Sequence, residues 1–197
     1  MTRPETFTQE SLGWVPWLEP VAREDLTAEQ HEALQDDFRR ASPYFRLLAR
    51  DPQALRARTL TDLDIFFNTE GGAGRAEREL AATATSRTNG CIYCASVHSA
   101  AATRESGRRE DVQRLLDEGV GAELGSPAWD AIAHAADALA RIPLDFGPAD
   151  VQRLREAGLS DAEIGDVINS AAFFNWANRL MLTLGEFEVP TRRSKRS

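Results

Sequence analysis

The sequence predicts an all-α protein, on three observations. The 197 residues are rich in Ala, Leu, Arg and Glu and only 8% aromatic, which favours helices over sheet. Two capping boxes, Thr27-Ala28-Glu29-Gln30 and Ser160-Asp161-Ala162-Glu163, announce helix starts. Helix-starting proline steps (Asp51-Pro52, Ser126-Pro127) and stopping glycines (Gly90, Gly107, Gly119) punctuate the rest. The length suits one well-buried core.

Taken in order, residues 1–25 form an N-terminal arm without a clean period. Trp14, Val15, Trp17 and Leu18 must dock on something apolar, either the chain's own core or a neighbouring subunit. The first capping box opens a helix running to about Arg40, with Leu34 and Phe38 on one face, and Ser42-Pro43 ends it. Asp51-Pro52 starts a second helix, whose Leu55, Leu60, Leu63, Ile65, Phe66 and Phe67 suggest burial. Gly71-Gly72-Ala73-Gly74 breaks it. That cluster lacks both the dinucleotide fingerprint and the Lys-Ser/Thr of a P-loop, so it reads as a linker or tight helix connection.

A helix from Ala76 to Thr88 follows, with small side chains that imply close packing, and Asn89-Gly90 stops it. The next helix runs from about Cys91 to Glu105, making a helical hairpin with the cysteines at its turn. Beyond it lie helices after Arg108, from Ser126-Pro127 to Arg141, and from Gly147-Pro148 to near Gly158. The last, from Asp161 to Leu184, carries a core stripe of Ile164, Val167, Ile168, Ala171, Phe174 and Leu182, after which the chain frays. Asn175, Trp176, Asn178 and Arg179 interrupt that stripe and suit packing or an interface. His31 and His134 sit on charged helix faces and should meet solvent. A single domain over 26–187 and a basic tail over 188–197, ending Arg192-Arg193-Ser194-Lys195-Arg196-Ser197, complete the organisation.

A net charge of -8 argues against nucleic-acid binding, which needs clustered Lys and Arg. No apolar run nears the ~20 residues that span a bilayer, and Met1-Thr2-Arg3-Pro4-Glu5 opens no signal peptide. No membrane association and a cytoplasmic location are expected. In a reducing compartment a lone Cys-x-x-Cys is redox-active or metal-binding rather than a staple, because so short a loop constrains the unfolded chain little.

Both cysteines and one of three histidines fall in Asn89-Gly90-Cys91-Ile92-Tyr93-Cys94-Ala95-Ser96-Val97-His98. On a helix Cys91, Cys94 and His98 share a face, with His98 one turn beyond Cys94. A cysteine in a first turn feels the positive end of the macrodipole, which favours thiolate, and an imidazole can take its proton. Zinc wants four ligands and this stretch offers three, so no metal is expected. Nor does any nicotinamide or flavin motif appear. Twelve residues before Cys91, Glu79 lies on the preceding helix and can fold back toward the thiols, although Glu77 is also near.

Glu79, the step to Cys91, and Cys-x-x-Cys-x-x-x-His together resemble the alkylhydroperoxidase AhpD-like, or carboxymuconolactone decarboxylase-like, superfamily, most densely over 51–121 and in its peroxidase-related branch. The resemblance implies an AhpD-like helical bundle, a homo-oligomer (trimer or hexamer) and thiol peroxidase chemistry on a small hydroperoxide. It implies that Cys94 attacks the peroxide, Cys91 resolves the sulfenic acid as a disulfide, and Glu79 and His98 relay protons. It also implies a dithiol reductant protein, lipoyl or thioredoxin-like, with no bound cofactor. Tyr93 stands where the best-known subgroup has a second histidine, and peroxidase-related relatives resemble this sequence in carrying Tyr there; a phenol is a poor base near neutral pH. Two alternatives share the fold: a non-redox decarboxylase or lactone-handling enzyme, and a non-catalytic redox-sensing oligomer.

Overall fold

A computed structural model describes residues 6–68 and 70–189. The terminal pentapeptide Met1 to Glu5 and the basic run from Arg192 to Ser197 lie outside them.

Ten helices carry the described chain: α1 Ala28–Leu34, α2 Asp37–Ala41, α3 Pro43–Leu48, α4 Pro52–Phe67, α5 Arg75–Asn89, α6 Ile92–Ser106, α7 Arg109–Glu118, α8 Pro127–Ala140, α9 Pro148–Glu156 and α10 Asp161–Leu184. The fold is all-α, as expected, apart from one two-stranded ribbon. In it β1 Gly13–Pro16 pairs antiparallel with β2 Gly185–Glu188.

Both capping boxes form, Thr27 receiving the Gln30 amide and Ser160 that of Glu163. The first helix is shorter than the sequence suggests. Gln35 takes a left-handed φ of 64°, and the Asp36 carboxylate accepts from the Arg39 amide, so the chain restarts as α2. The kink turns Phe38 outward, 70% exposed, while Leu34 stays buried. Ser42-Pro43 ends α2 and also opens α3, because proline needs no amide partner in a first turn. On α4, Leu55, Ile65 and Phe66 are buried, but Leu60 and Phe67 face outward. On α10, Leu182 likewise leaves the core stripe.

The scaffold's centre is α5, which packs on α6, α8 and α10. Ala81, Ala82, Thr83, Ala84, Thr85 and Ser86 are all buried, so three neighbours approach its backbone closely. Burying Leu80 and Ile132 at this junction stabilises by about 1.5–3 kcal/mol each, against about 1 kcal/mol for a capping residue. Packing, more than capping, therefore decides where the helices lie. Gly90, at φ 78°, gives α5 its left-handed stop and turns the chain into α6.

The linker reading of Gly71-Gly72 holds. These glycines adopt φ of 75° and 70°, and the Ala73 amide beyond them donates to Asp166 on α10. Of the apolar side chains expected to dock, the N-terminal arm buries Trp14 on its own chain, while Val15, Trp17 and Leu18 stay exposed. Trp14 is buried edge-on to Tyr44, and Gln9 bridges Thr103, Arg109 and Gln113. The strands escape sequence reading because each is only four residues long and they pair across the whole chain. Gly185 is required there: a Cβ would lie 2.4 Å from the Val15 carbonyl oxygen and 2.3 Å from the Trp14 ring.

Candidate active site

The α5–α6 hairpin sets the site. Cys91 is the N-cap residue of α6 and its amide donates to the Ser86 carbonyl, locking the turn. Cys94 follows in the first helical turn. Both thiols are reduced and buried, 1% and 5% exposed, in an apolar cluster with Trp14, Tyr44, Phe66, Phe173, Phe174 and Met181.

Two such close thiols share protons unequally. The Cys94 thiol as hydrogen-bond partner lowers the Cys91 pKa, burial opposes it, and the amides of Cys94 and Tyr93 and the Asn178 side chain help, without a full capping hydrogen bond. Cys94 is pushed well above its ordinary value, by Cys91 first and then by burial, with Asn178 and Arg58 pulling the other way. The first negative charge of the pair therefore rests on Cys91.

One turn on, His98 Nδ1 lies 2.6 Å from Glu79 Oε2. Nδ1 takes the donor role toward the carboxyl oxygen, which orients the ring. Arg75 grips the other carboxylate oxygen through Nε and Nη2, each at 2.9 Å, and lies over the Phe67 ring at 4.1 Å. Glu79 is only 1% exposed, and these two partners supply the hydrogen bonds that its buried carboxyl group needs. Phe66 and Phe174 pack against the imidazole, with ring centroids 5.2 and 4.0 Å from its own.

Glu77 turns elsewhere and accepts from the Trp129 indole at 3.0 Å, which separates the two acids that sequence left open. The structure thus gathers Cys91 with Cys94, and Glu79 with His98; the imidazole's hydrogen bond goes to the carboxylate, not to sulfur. Tyr93 is no base: burial first, then the two neighbouring sulfurs, push its phenol upward. His31 is exposed, and His134 is 3.7 Å from Asp150 with its side chain 42% exposed. Among the described residues no group of three or more His, Cys, Asp or Glu is placed to hold a metal.

Asn178, which the sequence suited to packing or an interface, takes the packing role and is fully buried. It donates to Ser86 Oγ and accepts from Asn89, both at 3.0 Å, beneath the turn that carries Cys91. Arg58 was missed altogether, as one of two arginines on α4. The only signal was its place on the helix face that also carries Leu55, a buried position.

The model of the carboxymuconolactone decarboxylase family matches residues 52–139, from α4 into α8 and including all four candidate residues. A peroxidase-related protein from Silicibacter sp. TM1040 superposes with a TM-score of 0.66 at 27% identity, covering 93% of each chain. The family match and the structural matches support the AhpD-like, carboxymuconolactone decarboxylase-like superfamily for this chain. Other structures share the AhpD-like fold. The alkylhydroperoxidase AhpD core of a peroxidase-related protein from Ralstonia eutropha JMP134 has a TM-score of 0.74 at 23% identity, covering 86% of this chain and 90% of that one. The debrominase Bmp8, in complex with 2,3,4-tribromopyrrole, has a TM-score of 0.66 at 18% identity, covering 86% and 89%. None of the curated proteins compared matches this AhpD-like chain. No described helix is long and apolar enough to cross a membrane.

Proposed function

We propose that this protein is a thiol peroxidase that reduces small hydroperoxides by cycling Cys94 and Cys91 between dithiol and disulfide. The observation that supports it is the pairing of two reduced, adjacent thiols at the start of α6 with a Glu79-oriented imidazole one turn along the same helix.

Cys94 passes its proton to the Cys91 thiolate and attacks one peroxide oxygen. The O–O bond breaks, Cys94 becomes a sulfenic acid, and the departing alkoxide takes a solvent proton relayed by His98 and Glu79. The Cys91 thiol then attacks the Cys94 sulfur, and the hydroxyl leaves as water with the thiol proton. A disulfide between neighbouring positions guards Cys94 from further oxidation. An external dithiol, lipoyl or thioredoxin-like, returns two electrons and two protons.

The test is consumption of an organic hydroperoxide by purified protein supplied with a dithiol. Intact mass after mild peroxide should fall by two hydrogens, and Cys94→Ser should abolish both effects. Unchanged turnover in Cys94→Ser would overturn the assignment. A disulfide that forms without turnover would favour a sensor, and no disulfide a non-redox enzyme.

A further inference from the structure

Arg75, the first residue of α5, spends its guanidinium on one acceptor, the buried acid of the relay. Nε and Nη2 each lie 2.9 Å from Glu79 Oε1, and among the described residues the side chain makes no other hydrogen bond. The remaining Glu79 oxygen meets His98 Nδ1 at 2.6 Å, so the carboxyl group is held between two basic side chains. The end of α4 braces both of them. Phe67 lies against the guanidinium at 4.1 Å, and Phe66 is 5.9 Å from the guanidinium carbon and 5.2 Å from the imidazole. Helix stability does not account for an arginine at this place: a cation in a first turn opposes the macrodipole, and a basic residue four places before an acid is the weaker order of such a pair. Nor is this a surface ion pair, because the Glu79 side chain is 2% exposed and that of Arg75 26%.

We infer that Arg75 is a positioning residue of the proton relay, fixing one oxygen of Glu79 so that the other holds His98 Nδ1 and sets the angle of the imidazole. The inference rests on the reading of Glu79 and His98 as that relay. The terminal torsion of a glutamate is broad, so a lone contact with the imidazole would leave the carboxyl group free to turn. Two charge-assisted N–H donors on the far oxygen pin it. Removing them leaves a buried oxygen without a donor, and the group turns to recover one at the expense of His98. Because Arg75 works only through Glu79, the effects of substituting the two are not additive.

The experiment follows the His98 ring N–H proton by NMR in the reduced protein, where a carboxyl acceptor at 2.6 Å places it far downfield; its loss in His98→Gln assigns it. Arg75→Met should shift this resonance upfield or lose it to solvent exchange, and Arg75→Lys should restore it, since an ammonium supplies a donor to the same oxygen. A folded Arg75→Met protein with the resonance unmoved overturns the inference, as does its absence from the unaltered protein. Should the Met variant not fold, Arg75→Lys and Arg75→Gln are compared instead: a resonance kept by Lys and lost by Gln supports the assignment, and equal spectra overturn it. In hydroperoxide turnover Arg75→Met should lower kcat about tenfold with KM unchanged, less than Glu79→Gln because the acid itself remains. Added to Glu79→Gln it should cost nothing more, and a further tenfold loss there overturns the inference. A resonance that responds in a protein without turnover leaves Arg75 in place and removes the peroxidase reading; turnover with an unmoved resonance does the reverse.

Discussion

At the scale of single residues, the site separates charge storage from proton handling. Glu79 matters through His98, so Glu79→Gln should keep disulfide formation by strong oxidants yet lower hydroperoxide turnover by about 10²-fold, measured as kcat with the fold checked by circular dichroism. Tyr44 gives an alkaline signature. Burial holds its phenol far above the ordinary value, with Arg58 pulling it back only in part. Its contribution to stability is present below the unfolded phenol value of about 10 and is lost as pH rises past it, because the unfolded chain ionises first. Tyr44→Phe should flatten that loss in denaturation midpoints followed against pH. The cysteines, His98 and Glu79 were legible in the sequence because one helical hairpin carries them all. Arg58 and Asn178 were not, since α4 and α10 reach the thiols only through tertiary packing.

Among the elements, helices announced by a cap or a proline were legible: α1, α4, α8, α9 and α10 start within a residue or two of their signals. The break at Gln35 was hidden, because Asp36 reads equally well as a polar helix residue and as a new cap. The ribbon was hidden because local pattern carries no trace of pairing between residues about 170 apart. Its tightness makes a prediction. Gly185→Ala should cost about 1–3 kcal/mol, read as a lower midpoint in urea, since the Val15 carbonyl is backbone and cannot swing aside. Gly90→Ala should cost about 1 kcal/mol through its left-handed φ, and should also slow disulfide formation by disturbing the entry to α6.

For the whole molecule, the described surface keeps several large apolar side chains in the open, Trp17, Leu18, Phe38, Phe67 and Trp176 among them. Scattered apolar residues are ordinary on a monomer, but Trp17 and Leu18 adjoin the ribbon and Phe67 lies against the Arg75 that grips Glu79. Light scattering is expected to give a mass of several chains, the trimer or hexamer that the family resemblance implies, and a single-chain mass at working concentration would remove that expectation. The acidic balance of the chain, -8, would keep such an assembly soluble.

The first strand also has an optical consequence. It lays the indole of Trp14 edge-on against Tyr44, 5.4 Å between ring centroids, inside the cluster that holds both sulfurs. Of the other three tryptophans, Trp17 and Trp129 lie outside that cluster, and Trp176 packs on its rim, edge-on to Phe173. Intrinsic fluorescence should therefore change as the thiols close into a disulfide and return when a dithiol is added. The protein carries its own lamp over its redox centre, and Trp14→Phe should put it out.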